Sequence, residues 1–132
     1  VKPIIDHLIA LLAQTGITAH YVTVPDRPAF PYVLLWSTPG QPGIEASITA
    51  DEDMSDLLGV TMVDTTPGNV LLLSTRTRGL LDTARLTVDG MLVTLSRTVS
   101  QTVQPDEAVT LPDTNQHPCF AVDRYQMVAT PA

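Results

Sequence analysis

Asp51, Asp53 and Ser55 alternate as the first oxygen ligands of a calcium loop do, since a hard divalent cation is held by carboxylate and hydroxyl oxygens at such spacing. The pattern then breaks: Asp56 stands where the sharp-turn glycine belongs, and Met62 where a bidentate glutamate would close the shell. The acidic cluster Asp51, Glu52, Asp53 and Asp56 therefore reads as a solvated loop. His7, His20 and His117 fall on a helix, a strand and a loop without ligand spacing, and read as surface or core side chains. Cys119 is the single cysteine, so no disulfide forms within the chain; His117 lies two residues away across Pro118, an arrangement that fixes no thiolate pair, and packing accounts for the thiol. Thr65-Thr66-Pro67-Gly68-Asn69 precedes a helical pattern and offers backbone N–H groups to an anion, yet it lacks the Gly-rich spacing of a phosphate loop. Capping by Asn69 or a neighbouring Thr explains it. Arg76 and Arg78, two apart, project from different helix faces; with Arg85 they are candidates for pairing with acidic groups, within the chain or across a subunit boundary, or for simple solvation. Trp36, in the most apolar segment, is expected in the core rather than on a stacking platform. No residue reads as catalytic, metal-ligating or cofactor-binding, and the expectation is a protein that is not an enzyme and works through its surfaces.

Composition narrows the classes further. A chain of 132 residues, 44% hydrophobic, suits one domain spanning 1–132. Its net charge is -7, which disfavours attraction to nucleic acid phosphates but lets DNA slide past without sticking. The apolar runs fall short of the roughly 20 residues that cross a bilayer, and the first residues have neither a basic region nor a small-residue cleavage site. A soluble protein made in the cytoplasm, without a membrane partner, is expected.

The elements that would carry these residues follow from periodicity. Ile4, Ile5, Leu8, Leu11 and Leu12 recur at helical spacing, with Pro3 at the first turn and Gly16 as a stop. Residues 17–24 and 32–37 read as strands, the second central, joined by the proline-rich 25–31. Residues 38–56 read as a long loop or projecting hairpin, long enough to be functional. A strand at 57–64 leads into a second helix whose apolar face is Val70, Leu73 and Leu80 with Leu72 and Leu81. Asp89-Gly90 between 86–88 and 91–95 signals a tight hairpin, because both residues tolerate positive φ. Residues 99–118 read as a second long polar segment, and 119–128 as a last strand. The expected architecture is α+β: a mostly antiparallel sheet with two helices on one face and long projecting loops.

This layout resembles that of the tail terminator proteins of long-tailed bacteriophages, also called tail completion or minor tail proteins. The likeness rests on the leading helix over 3–15, two strands joined by a proline-rich turn, the long loop, the strand entering a helix through Asp64-Thr65-Thr66-Pro67-Gly68-Asn69, and the late Asp89-Gly90 hairpin followed by 119–128. It covers nearly the whole chain and is one of layout and size, since the family has no short diagnostic motif.

The resemblance implies a virion structural protein, assembled in the host cytoplasm, whose copies close into a homohexameric ring at the head-proximal end of the tail. Such a ring ends polymerisation of the tail tube protein and presents a surface to the head–tail connector, while DNA traverses its lumen without specific binding. On this basis the loops over 38–56 and 99–118 are assigned to neighbouring rings, Asp51, Glu52, Asp53 and Asp56 to the assembly or lumen loop, and Arg76, Arg78 and Arg85 to contacts between subunits. A head-completion or neck protein, a tail tube subunit, and a small ligand-binding or enzymatic α+β domain are the alternatives.

Overall fold

The computed structural model describes residues 2–25, 28–37, 54–111 and 115–131. Helix α1 (Lys2–Gln14) turns Ile4, Ile5, Leu8 and Leu12 inward at the spacing the sequence suggests. It ends at Gly16, whose φ of 82° suits a residue without a side chain; Gly16 N–H donates to Ala13 O at 3.0 Å and Ile17 N–H to Leu12 O at 3.0 Å. These two bonds form a Schellman cap, and the buried Ile17 and Leu12 supply its apolar contact.

Strands β1 (Ala19–Tyr21), β2 (Tyr32–Ser37), β3 (Met54–Asp64), β4 (Arg85–Val88), β5 (Met91–Ser100), β6 (Gln104–Pro105) and β7 (Cys119–Pro131) form one sheet. Its order is β1-β2-β3-β7-β5-β4, with β6 also on β7. Only β1 and β2 run parallel; every other pair is antiparallel. The α+β class and the predominance of antiparallel pairing are as the sequence indicates. The centre is elsewhere. Strands β3 and β7 form it, because both are long enough to be paired on each side, while β2 is one strand from the edge.

Other boundaries shift for local reasons. The first strand covers only residues 19–21 of the expected 17–24, because Val22 takes φ 65° and Thr23 N–H folds back onto Tyr21 O. Strand β3 begins at Met54, so Asp56 is part of the ladder opposite Met127 rather than of a loop. Strand β5 continues to Ser100 through a bulge between Arg97 and Val99, where Thr98 Oγ1 donates to Arg124 O, and β6 adds a short further pairing.

Helix α2 (Pro67–Leu81) starts three residues after Asp64. Thr66 is its N-cap, accepting from Asn69 N–H at 3.2 Å, and Pro67 occupies the first helical position. Its inward stripe is Val70, Leu73, Ser74, Thr77 and Leu81. Leu72 is off that stripe and 66% exposed, contrary to its expected place on the apolar face.

Residues opposite one another in a sheet share a face, so the register sorts every strand residue. One face carries Val33, Leu35, Leu58, Val60, Met62, Val93, Leu95, Tyr125 and Met127, all buried with α1 and α2 in a single core. The other face carries Tyr32, Leu34, Trp36, Gly59, Thr61, Phe120, Val122 and Arg124.

Candidate assembly surface

The residues with chemical character fall into two groups, one on each face of the sheet. On the helix-covered face, Asp123 is fully buried and accepts from Arg78 Nε at 2.7 Å and Arg78 NH2 at 2.8 Å. Burial pushes the Asp123 carboxyl up, but hydrogen bonds from Arg78 and Ser100 and the charges of Arg78 and Arg97 outweigh it and hold the pKa below the usual aspartate value. The bond to Asp123 raises the Arg78 guanidinium in turn. One strand step away, buried Tyr125 donates its hydroxyl to Asp82 Oδ1 at 2.8 Å, and Arg97 NH2 meets Asp82 Oδ2 at 3.2 Å. Burial first, and the Asp82 carboxylate next, push the Tyr125 phenol well up. This network ties the end of α2 to β5 and β7. It contains charged pairs and a phenol bonded to one another, and Arg78 and Ser100 also line an open pocket with Leu71, Ser74 and Val103.

The other group lies on the face away from α1 and α2. Gly59 leaves a gap in β3 that the Trp36 ring fills: a Cβ built on Gly59 would lie 1.8 Å from Trp36 Cε2. The indole Nε1 donates to Thr61 Oγ1 at 3.3 Å, and the Arg124 guanidinium, two strands away on β7, stands 5.8 Å from the ring centroid. Trp36 is thus half-buried on the face away from α1 and α2, not in the core as expected, because register places it opposite Gly59 and one residue out of phase with Val33 and Leu35. Towards the end of the sheet the aromatic surface continues. His20 packs edge-on against Tyr32 at 5.9 Å between centroids, and Phe30 lies 5.6 Å from Tyr32. Leu34, Phe120 and Val122 lie among these rings, each half-buried.

Of the residues singled out from sequence, Asp51, Glu52 and Asp53 lie outside the described residues, as do most of the 38–56 loop and with it the calcium-like pattern's first positions. Asp56 is buried, 7% exposed, and its Oδ1 accepts from Leu57 N–H, so it does not belong to a lumen-lining loop. Arg76 donates to Thr15 O at 2.7 Å and so binds the carboxyl end of α1. Arg78 is engaged inside its own chain, with Asp123. Arg85 is exposed on β4, on the face away from α1 and α2, and together with Arg124 it has no carboxylate partner among the described residues.

His7 is exposed on α1, His117 Nδ1 donates to Val109 O and holds a turn, and Cys119 is buried on β7. Among the described residues no three of His, Cys, Asp and Glu come together as a metal site, and no helix is long and apolar enough to cross a membrane. Gly59 and Arg124 escaped the sequence reading. A lone glycine inside a strand is the signal that points to Gly59; Arg124 gave none, because its neighbour across two strands is fixed only by register. The chain matches no known protein-family model and no curated protein.

Proposed function

We propose that this protein is a tail terminator of a long-tailed bacteriophage: a structural subunit that closes into a ring on the head-proximal end of the tail tube, ends its polymerisation and joins it to the head connector. The observation that supports the reading most is the sheet face away from α1 and α2, on which no helix packs among the described residues. A two-layer α+β domain has one face of its sheet in the core, and here the second face bears Trp36, Leu34, Phe120 and Val122 only half-buried. A chain whose buried polar groups serve packing and whose apolar excess lies on a sheet surface is built to associate. The ring would be a homohexamer in the virion, with DNA passing through without specific contacts, as the net charge of -7 favours. Asp51, Glu52 and Asp53 remain assigned to the lumen or to a neighbouring ring.

Native mass spectrometry across a concentration series, with electron micrographs of the same samples, tests the reading. Closed rings of one size that cap isolated tail tubes are expected. Unlimited tubes from the purified protein would identify a tail tube subunit instead, and rings that bind portal assemblies but not tubes would identify a neck protein.

A further inference from the structure

Between α2 and the segment that links β5 to β6 lies a groove of about 290 Å³, lined by described residues alone. Its helix wall is Leu71, Ser74, Thr75 and Arg78, which share one stripe of α2 because they stand three, four and seven positions apart. The gap itself comes from the strand opposite. Ser100 pairs with Asp123 and Gln104 with Phe120, so three residues, 101–103, cross the span that Ala121 and Val122 cover on β7. With one residue too many for the ladder the segment bows away from it, and Ala121 beneath has only a methyl group with which to fill the space.

Two features give the groove a chemical preference. Ser74 is 4% exposed, and its Oγ makes no hydrogen bond to the protein. Buried hydroxyls are ordinarily bonded, so this one points to a bonding group that enters the groove. The second feature is Arg78. Its Nε and Nη2 bond the two oxygens of Asp123, which uses one edge of the guanidinium; the edge formed by Nη1 and Nη2 still offers a parallel pair of N–H donors. That fork matches a carboxylate.

None of the residues lining the groove is acidic, in a chain with fourteen acids and seven cations. Asp123 stands behind the guanidinium and offsets part of its charge, so a singly charged group suits the site better than a doubly charged phosphate. Leu71, Val103 and Ala121 provide apolar contact for a short hydrocarbon chain, and the volume, at the lower end for ligand sites, limits that chain to a few carbons. We propose that the groove between α2 and residues 100–103 binds a small aliphatic monocarboxylate, its oxygens on the outer edge of Arg78 and on Ser74 Oγ and its carbons along Leu71, Val103 and Ala121. The site does not depend on the assembly reading and stands whether or not rings form.

Butyrate is the probe, and butyramide, of the same shape without the charge, is its control. Saturation-transfer NMR observes the ligand and so serves for a monomer or a ring; titration gives Kd for the wild type, Ser74→Ala and Leu71→Glu. Ser74→Ala removes a hydroxyl that no protein group bonds, and Leu71 is 58% exposed, so both variants should keep the wild-type circular dichroism spectrum and Tm. Butyrate should bind with a Kd of about 1–10 mM, as suits so small a ligand, and butyramide at least about tenfold more weakly. Each variant should weaken butyrate by about tenfold, Ser74→Ala through a lost hydrogen bond to a charged group and Leu71→Glu through repulsion at the rim.

No saturation transfer to butyrate at about 50 mM would overturn the site. Equal affinity for butyramide would overturn the carboxylate assignment. Equal affinity of butyrate for all three proteins would place it elsewhere on the surface and overturn the groove.

Discussion

At Gly59 the side chain of Trp36 occupies the space where a Cβ would stand, so even a methyl group must displace an indole. Gly59→Ala is expected to destabilise the fold by about 1–3 kcal/mol, the usual effect of overpacking, and to shift the emission of Trp36 as the ring swings out. Urea denaturation followed by tryptophan fluorescence reads both effects at once; an unchanged midpoint would mean that the ring does not rest on the glycine. On the other face, Arg78 compensates a carboxylate that has 1% of its side chain exposed. Arg78→Met should therefore cost about 3–5 kcal/mol at neutral pH, because it leaves the Asp123 charge buried alone. The exposed Lys2–Asp6 pair one layer away, by contrast, should be removable with little effect.

Helix ends are where the elements are most vulnerable. Gly16→Ala places a side chain at φ 82° in the Schellman cap, and Thr66→Ala removes the acceptor for Asn69 N–H; each should lower stability by about 1 kcal/mol, measured as a shift in Tm. The connection between β2 and β3 makes a different prediction. Ser37 pairs with Leu58, so removing residues 40–53 still leaves Thr38, Pro39 and the four residues ahead of Leu58 to close the hairpin. The shortened protein should fold with a native circular dichroism spectrum and fail to assemble. An unfolded product would show that the segment contributes to the core.

For the whole molecule, the buried network sets the pH response. The Asp123 pKa is depressed in the folded state, so its stabilising contribution is complete above the ordinary aspartate value of about 3.9 and is lost as pH falls through the lower folded value. Tyr125 has a raised pKa, so its contribution is complete below the ordinary tyrosine value of about 10 and declines as pH rises beyond it. Stability should hold level between these limits and fall at both ends. Arg78→Met should invert the acid side: without its partner, Asp123 is best accommodated neutral, and lowering the pH towards 4 should recover stability. Thermal melts of both proteins over the same pH range test the sign. A parallel acid decline would place the dependence elsewhere.

Local patterns in the chain determined the α+β class, α1 with its glycine stop, the helix after Asp64 and the Asp89-Gly90 hairpin, since each depends on periodicity or on residues a few positions apart. Residues 32–37 were legible as a strand for the same reason, but which of Val33, Leu35 and Trp36 face the core was not. An apolar run of six residues reads as buried on both sides, and only the pairing of β2 with β3, and of β3 with β7, decides that alternate residues face the helices or point away from them. The partners of Arg78 and Arg124 lie 45 and 88 residues away, at Asp123 and Trp36 respectively, beyond anything spacing can indicate. Asp56 shows the same division: its acidic neighbours suggest a solvated loop, yet register with Met127 draws it into the ladder. What the sequence determined is what short-range backbone preference controls; which side chains meet, and which face each strand residue takes, belonged to the tertiary structure, because strand order and register join residues that the chain keeps far apart.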